Sequence, residues 1–232
     1  MTYSIENSKK FKWSSVTGNL NPQRVSHLKK YILGSKLLDA GCGGGAYVEF
    51  LTNQGLQVTG IDKYDQFLQL AKTEERLGTY VQGDITNIPF PDNEFDFTYC
   101  FDVLEHVEDK AAIQELARVT RKRLMITVPK EDEIMENFNL TFLHYQDKTH
   151  LRNYTEESLR SLIIQTYPSD FQIFPELCIP ARLLVQEILN LNKVEYGIKG
   201  LHRKVLKQVA KKMLSRINHK TIYTSLVAVI EF

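Results

Sequence analysis

The stretch Lys36–Gly45, with the sequence KLLDAGCGGG, decides the fold that this chain can adopt. It begins as a short apolar run, which predicts a strand, and it ends in a cluster of glycines next to one carboxylate, Asp39. Because glycine has no Cβ, the main chain at these positions can turn sharply and approach a ligand closely. An apolar strand that leads into glycine-rich backbone and then into a helical pattern is typical of a nucleotide-binding turn.

Strand and helix patterns alternate on both sides of this turn. Before it, Asn21 and Pro22 predict a helix start, because asparagine caps helices well and proline suits the first helical position. After it, strands are predicted at 56–61, 80–81, 95–101, 123–128, 170–174 and 225–232, with helices at 47–53, 64–72, 110–120 and from Thr155. Strands that alternate with helices of about ten residues predict a parallel sheet with helices on both faces.

Four acidic residues, Asp39, Asp62, Asp84 and Asp102, lie at the ends of predicted strands. Parallel sheets gather their ligand-binding groups at the carboxyl ends of the strands. We therefore expect a row of carboxylates along one edge of the sheet, with the glycine turn at its centre.

The composition is that of an ordinary folded domain, with 232 residues, 43% of them hydrophobic and 25% charged. This length allows one large α/β domain or one domain with an insertion. No apolar run approaches the roughly 20 residues that a membrane-spanning helix needs, and no secretory signal is recognised. The three cysteines, at positions 42, 100 and 178, are scattered and form no metal-type pair, which indicates a reducing, cytoplasmic setting.

The net charge of +1 hides an uneven distribution. The segment Lys199–Lys220 holds eight Lys and Arg residues and no acid, which leaves 21 basic against 28 acidic residues in the rest of the chain. This segment predicts a helix with a basic face, which could lie in solvent or meet an anionic membrane surface, a phosphorylated substrate or a second, acidic subunit. Nucleic acid is disfavoured as a partner, because the basic patch is local and has no interleaved aromatic residues.

Two kinds of ligand could bind at the glycine turn, a dinucleotide or a nucleoside without phosphate. The segment 41–46, GCGGGA, also satisfies the dinucleotide fingerprint, and Asp62 lies about 20 residues further on, where a ribose-binding acid is expected. However, Asp39 would face and repel a negatively charged pyrophosphate, whereas Asp84 could accept a hydrogen bond from an adenine amino group. A ligand with ribose, adenine and a cationic head in place of phosphate fits better, and S-adenosylmethionine has these properties.

Over roughly residues 21–166, the chain resembles the class I S-adenosylmethionine-dependent methyltransferases, particularly the small-molecule (methyltransferase type 11) group that includes the ubiquinone-biosynthesis O-methyltransferases. The resemblance rests on the sequences NPQR at 21–24, DAGCGGG at 39–45, VTGID at 58–62, QGDI at 82–85, FDF at 95–97 and DVLEHV at 102–107. It implies a Rossmann-like, doubly wound α/β fold with a mostly parallel seven-stranded sheet and an antiparallel last strand. Residues 1–20 would form an N-terminal arm, and 21–232 a single methyltransferase domain with a helical insertion at about 178–220.

The resemblance also implies roles for residues around the methionine part of the cofactor. Gly41, Cys42 and Gly43 would pass this part along their backbone. Asp39 would anchor that network, and Phe101 would present its main-chain carbonyl to the methionine ammonium group.

Other residues would hold the rest of the cofactor. Asp62 would accept both ribose hydroxyls in a charge-assisted pair, with Lys63 beside it in the site. Asp84 would accept the adenine amino group, and Ile85 would flank the ring. Arg24 would pair with the cofactor carboxylate, a task that suits its planar guanidinium, unless it is an ordinary surface residue of its helix.

Two histidines are candidates for acid–base chemistry. His106 follows a strand end, and a reference pKa of about 6.5 suits a histidine to proton transfer at neutral pH. The favoured alternative is that His106 packs near the cofactor and only shapes the pocket. His150 is the second candidate base.

The irregular connection 130–154 is expected to contact the methyl acceptor, because similar methyltransferases place substrate-facing residues after the fifth strand. The candidates in this connection, besides His150, are His144, Tyr145 and Arg152. The spacing of His144, Asp147 and His150 also raises a metal site, but a pocket lining is the simpler interpretation and no metal is expected.

We therefore expect an enzyme that transfers a methyl group from S-adenosylmethionine to a small-molecule or lipid-linked acceptor, with an oxygen acceptor favoured over nitrogen or carbon. S-adenosylhomocysteine would be the product. The alternatives are a protein that binds S-adenosylmethionine without catalysis and, less favoured, an NAD-dependent oxidoreductase. The expected location is cytoplasmic, with peripheral membrane contact and oligomer formation left open.

Overall fold

The computed structural model describes residues 4–10, 13–131, 149–180 and 221–232. Packing divides the chain into two compact units, Met1–Phe174 with Ser225–Phe232, and Pro175–Thr224. The helices predicted within 178–220 lie outside the described residues, apart from 178–180, which end a strand. Within the described ranges, no helix is both long and apolar enough to cross a bilayer.

The strands of the described chain form one sheet. They are β1 Lys36–Ala40, β2 Gln57–Asp62, β3 Thr79–Gln82, β4 Phe95–Phe101, β5 Thr120–Pro129, β6 Asp170–Pro180 and β7 Thr221–Glu231. Their order in the sheet is β3-β2-β1-β4-β5-β7-β6. The first five strands in this order are parallel to one another, and β7 is antiparallel to β5. The predicted mostly parallel, seven-stranded sheet with an antiparallel last strand is therefore confirmed.

Helices cover both faces of this sheet. Those within the described ranges are α1 Ile5–Lys10, α2 Ser14–Thr17, α3 Pro22–Tyr31, α4 Ala46–Thr52, α5 Asp65–Thr73, α6 Asp109–Val119 and α7 Glu156–Ile164, with a 3-10 turn at Leu104–His106. Helices α6 and α7 contribute to one hydrophobic core, and α3 and α4 contribute to the other. Because side chains alternate along a strand, the neighbours Leu37 and Leu38 of β1 pack into opposite cores. This two-sided burial explains why the strand reads as a continuous apolar run.

Short-range signals set two of the helix starts. The Asn21 side chain accepts hydrogen bonds from the backbone N–H groups of Gln23 (2.9 Å) and Arg24 (3.4 Å), so the predicted cap of α3 is confirmed. At α7, Thr155 and Ser158 form a reciprocal capping box with two N–H···O bonds of 3.0 Å. Serine thus takes the place that glutamate or glutamine usually has in this motif.

The structure differs from the sequence prediction in three places. The region predicted as an arm contains the short helices α1 and α2, which have too few residues to show a helical pattern. A 3-10 turn follows β4, where only a strand end was expected. The strands β5, β6 and β7 are longer than their apolar cores, because pairing with neighbours extends them beyond the residues that have a sequence signal.

At the amino end of the sheet, Asp96 ties β4 to its neighbours. Its Oδ2 accepts the N–H groups of Ser35 (3.1 Å) and Lys36 (3.3 Å), and its Oδ1 pairs with Arg121 and with Lys122 (3.0 Å). The hydrogen bond from Arg121 is the main cause that holds the pKa of Asp96 well below its ordinary value. The carboxylate is nearly buried, so it is a structural ion at the edge opposite the glycine turn.

Replacing Asp96 with asparagine should destabilise the fold without touching the rim where the glycine turn lies. We expect Asp96→Asn to lower the free energy of unfolding by about 2 kcal/mol at neutral pH, since it removes a charged hydrogen-bond acceptor. Because the folded-state pKa is depressed, this contribution is present above the unfolded pKa of about 3.9 and is lost on further acidification. Urea unfolding of wild type and Asp96→Asn at about pH 7 and about pH 3 measures the difference between their free energies of unfolding. If this difference is not smaller at the lower pH, Asp96 is not a stabilising carboxylate with a depressed pKa.

Candidate cofactor site and active site

The carboxyl ends of four neighbouring parallel strands form one edge of the sheet. In the strand order β3-β2-β1-β4, this edge carries Asp84, Asp62, Asp39 and Asp102. The structure thus brings together the four acids that the sequence singled out. The glycine turn follows β1 and lies in the middle of this row, which we call the acidic rim.

The conformation of the turn requires glycine. Gly41, Gly43 and Gly45 have φ angles of +85°, +52° and +80°, which side chains of other residues rarely allow. A Cβ added to Gly41 would lie 2.3 Å from a Val103 methyl group, and one added to Gly45 would lie 2.4 Å from the Tyr80 ring. The backbone therefore packs closely against its neighbours, and no side chain of its own separates it from a ligand at these positions.

The hydrogen bonds within the turn decide which ligand charge it suits. The N–H groups of four residues donate within the protein, namely those of Gly41, Cys42, Gly43 and Gly45. The first two donate to the Ile61 carbonyl (2.8 and 3.0 Å), and the third donates to Asp62 Oδ2 (2.8 Å). A diphosphate needs backbone N–H donors, and these four are already engaged. A cationic ligand needs acceptors, so this turn suits a cation better.

Asp62 is the acid that best fits a ribose. It is only 8% exposed, and its two oxygens accept one backbone N–H each, from Gly43 (2.8 Å) and Tyr64 (2.9 Å). Because a carboxylate has about four acceptor positions, both oxygens can still accept a hydroxyl. Burial raises the pKa of Asp62, and the hydrogen bonds from Tyr64 and Gly43 oppose this rise.

Asp84 and Lys63 form an ion pair at the next strand end. Lys63 Nζ lies 2.9 Å from Asp84 Oδ2, while the Thr86 N–H (3.0 Å) and hydroxyl (2.8 Å) donate to Oδ1. Burial raises the pKa of Asp84, but the hydrogen bonds from Thr86 and Lys63 outweigh it, and the net pKa is below its ordinary value. Ile85 is buried beside this carboxylate. An adenine amino group at Asp84 would share the acid with Lys63.

Asp39 lies at the carboxyl end of β1, next to the glycine turn. The residue is buried, and this burial raises its pKa to about 8, with a further rise from the charge of Asp62 and an opposing effect of the Tyr99 hydroxyl. A carboxyl with this raised pKa is at least partly protonated at physiological pH, so its charge is a weak basis for the exclusion of a pyrophosphate. That discrimination lies instead in the engaged N–H groups of the turn and in Asp62.

Arg24 is engaged by an acid of the rim. Its Nη1 and Nη2 lie 2.6 and 2.8 Å from the two oxygens of Asp102, and its guanidinium lies 5.2 Å from the centre of the Phe101 ring. With a side chain that is 7% exposed, Arg24 is not the ordinary surface residue that the sequence allowed. Its pairing with a cofactor carboxylate, like the role of the Phe101 carbonyl, stays a prediction.

The structure also brings the two predicted histidines together. The rings of His106 and His150 meet edge to face, with centroids 4.6 Å apart, and Thr149 Oγ1 lies 3.1 Å from His106 Nδ1. One ligand atom from each of Glu105, His106 and His150 lies within 4.8 Å of the others, so these three residues could hold a metal ion. The absence of a metal therefore stays a prediction.

Of the remaining residues predicted to contact the methyl acceptor, the structure describes only Arg152. His144, Tyr145 and Asp147 lie outside the described residues. Arg152 Nη1 donates to the Val107 carbonyl (2.7 Å) and lies 3.3 Å from Asp109, so this side chain connects the residues before α7 to the start of α6. Its contact with the acceptor is still only a prediction.

Sequence reasoning assigned no role to Glu105 or to Arg76. Glu105 lies within the DVLEHV motif, and a buried acid beside a histidine is a signal that could have indicated it. Arg76 lies in a charged loop with no motif, and only the folded chain shows its partners.

The fold and the acidic rim are similar to those of class I S-adenosylmethionine-dependent methyltransferases, as the sequence resemblance predicted. Residues 38–126 match the family model described as a methyltransferase domain. This part of the chain, which includes the glycine turn, is therefore similar to that family.

Individual relatives agree with this. The ubiquinone biosynthesis O-methyltransferase of Hydrogenovibrio crunogenus is 34% identical over 101 residues, which cover 40% of this chain and 42% of that protein. The malonyl-[acyl-carrier protein] O-methyltransferase of Serratia marcescens is 37% identical over 89 residues, which cover 38% of this chain and 35% of that protein. The match therefore spans less than half the length of either relative.

A solved structure extends the similarity in fold to the whole chain. The crystal structure of a SAM dependent methyltransferase from Archaeoglobus fulgidus has a TM-score of 0.68, with 17% sequence identity and 100% of both chains covered. At this identity the similarity establishes the fold.

The raised pKa of Asp39 predicts a pH-dependent stability. In the folded state this carboxyl keeps its proton up to about pH 8, whereas in the unfolded chain it loses the proton above about pH 4. Wild-type protein should therefore lose stability relative to Asp39→Asn as the pH rises through this window. Urea unfolding of wild type and Asp39→Asn at about pH 5 and about pH 8 gives the difference between their free energies of unfolding at each pH. Equal differences at both pH values would show that Asp39 is ionised in the folded state.

Proposed function

We propose that this chain binds S-adenosylmethionine along the glycine turn and transfers its methyl group to a small-molecule acceptor, with S-adenosylhomocysteine as the product. The observation that carries the proposal is the pairing of Gly43 with Asp62. It engages the turn's central N–H group, which a phosphate would need, and leaves both Asp62 oxygens able to accept ribose hydroxyls.

The acidic rim supplies groups for each part of the cofactor. Asp62 accepts the ribose hydroxyls, and Asp84 accepts the adenine amino group beside the apolar Ile85. The backbone of 41–43 runs along the methionine part, where Asp102 and the Phe101 carbonyl favour a cationic ammonium group. Arg24, which is held beside them, meets the cofactor carboxylate with its planar guanidinium.

The cofactor, when bound, supplies a methyl group that its sulfonium makes electrophilic. The protein's task is then to align the acceptor for in-line attack and to exclude water, and such positioning can contribute much of the rate enhancement. An oxygen acceptor must also lose a proton. His106 and His150, which the fold brings into contact, are the groups that we assign to this step.

An oxygen acceptor is favoured because both curated relatives are O-methyltransferases by name. The identity of the acceptor depends on segments outside the matched part, including 132–148. The basic charge of Lys199–Lys220 supports a peripheral contact with an anionic surface and a lipid-linked acceptor, in a cytoplasmic protein.

The ribose contact can be tested with a pair of neighbouring acids. Asp62→Asn should raise the dissociation constant for S-adenosylmethionine about 10- to 100-fold, since hydrogen bonds to a charged group contribute about 1.5–3 kcal/mol. Asp65→Asn changes an exposed acid in the first turn of α5 and should leave the constant unchanged. Calorimetry measures both. Equal affinity of wild type and Asp62→Asn would refute the site.

Turnover can be tested with the two histidines. His106→Gln and His150→Gln should each lower kcat for an oxygen acceptor by about 10²- to 10⁴-fold, with little change in cofactor affinity, if they remove the acceptor proton. Formation of S-adenosylhomocysteine over a panel of phenols, alcohols and carboxylic acids measures kcat. His27→Gln in α3, whose ring packs against Phe174, is the matched control. Unchanged kcat in both variants would mean that the histidines only shape the pocket.

A further inference from the structure

A buried arginine connects the glycine turn to the N-terminal segment. Arg76 lies in the loop between α5 and β3, and its side chain is only 7% exposed. Its Nη1 donates to the carbonyls of Gly44 (2.6 Å) and Ser15 (2.9 Å), and its Nη2 donates to the Val16 carbonyl (2.7 Å). One side chain therefore holds three backbone carbonyls from two segments that are distant in sequence.

Only an arginine can make this set of contacts. Its planar guanidinium carries several N–H donors in a fixed arrangement, whereas a lysine ammonium is a compact charge that cannot span the same acceptors. The charge is balanced by Glu74, which pairs with Nη2, and by Glu49 of α4, 3.9 Å from Nε. The buried guanidinium is thus charge-compensated by two carboxylates that are themselves more than one third exposed.

The helix α2 packs directly on the glycine turn. A Cβ added to Gly43 would lie 2.7 Å from Ser15 Oγ, and one added to Gly44 would lie 3.1 Å from the Ser15 carbonyl. In addition, Ser14 Oγ lies 3.2 Å from the Tyr47 hydroxyl, which also accepts the Asn21 N–H (3.1 Å). The position of α2 and the path of the turn are therefore mutually dependent.

The Gly44 carbonyl sets the orientation of one peptide unit in the middle of the turn. Because Arg76 fixes this carbonyl, it also limits the conformations of the flanking residues Gly43 and Gly45, which have positive φ angles and little intrinsic preference. Gly43 is the residue whose N–H group meets Asp62. The chain of contacts runs from Arg76 through Gly44 to the acid proposed to bind ribose.

We infer that Arg76 is a positioning residue for the cofactor site, which holds the glycine turn in its binding conformation and docks α2 against it. Arg76 acts from behind the turn and does not itself bind the cofactor. This inference rests on the proposed function of the acidic rim. It adds a residue that lies outside the family motifs in the sequence, and it makes cofactor affinity depend on the docking of the N-terminal segment.

The test compares two arginines that each hold backbone in a different part of the fold. Arg76→Lys and Arg76→Gln should raise the dissociation constant for S-adenosylmethionine at least about tenfold, because a turn that samples several conformations binds in proportion to its competent fraction. Arg123→Lys is the matched control. Arg123 holds the Tyr31 carbonyl (2.7 Å) and pairs with Glu231 near the start of β5, at the opposite edge of the sheet. This variant should lose stability without losing affinity.

The single tryptophan of the chain gives a second readout that needs no ligand. Trp13 precedes α2, and its ring lies 6.2 Å from the Phe67 ring. Undocking of α2 should shift the Trp13 emission to longer wavelength in both Arg76 variants, at a temperature well below the unfolding midpoint. Arg123→Lys should keep the wild-type spectrum.

The outcomes separate the inference from the function on which it rests. A larger rise in the dissociation constant for Arg76→Lys than for Arg123→Lys, together with the Trp13 shift, supports the positioning role. Equal affinities of the two lysine variants overturn it, whether or not Trp13 shifts. If wild-type protein binds no S-adenosylmethionine, the proposed function fails and the cofactor role of Arg76 fails with it. If wild type binds S-adenosylmethionine but Arg76→Gln does not fold, the dissociation constant of Arg76→Lys alone tests the positioning role.

Discussion

The hydrogen bond from the Gly43 N–H to Asp62, 2.8 Å long, is the contact on which the rest of the site depends. It joins the turn after β1 to the last residue of β2, and it requires these strands to be neighbours in the register that pairs Ala40 with Ile61. The same register lets the Ile61 carbonyl accept the first two N–H groups of the turn. Close approach also requires Gly60, since a Cβ there would lie 2.7 Å from Cys42 Sγ.

The electrostatics of the acidic rim follow from how deeply each acid is buried. Burial raises the pKa of Asp39 to about 8, whereas Asp84 and Asp102 have cationic partners in Lys63 and Arg24. Asp62 lies between these extremes, because hydrogen bonds from backbone N–H groups, chiefly those of Tyr64 and Gly43, oppose the rise in its pKa that burial causes. The rim therefore does not act as a uniform negative surface. It presents one nearly buried acceptor next to bare backbone, with paired charges on either side, and this arrangement suits an uncharged ribose beside a cationic head group.

Much of the fold could be predicted from the sequence because its signals are local. The cap at Asn21, the apolar strands and the glycine turn each depend on residues a few positions apart, and all lie where they were expected. The four rim acids could also be predicted, because the carboxyl ends of parallel strands share one edge. The contact between His106 and His150 could not, since the two residues lie far apart in sequence and no local pattern indicates their proximity. The backbone carbonyls that Arg76 holds lie about 30 and 60 residues away in sequence, so no local pattern indicates them.

The central claim is that this turn, with its N–H groups engaged and Asp62 behind it, prefers a cationic nucleoside to a diphosphate. The most direct measurement is calorimetric titration of the full chain with S-adenosylmethionine and, separately, with NAD under the same conditions. The account predicts saturable one-site binding of S-adenosylmethionine and an affinity for NAD that is at least about 100-fold lower, which corresponds to about 2.7 kcal/mol. Binding of NAD with equal or higher affinity would contradict it.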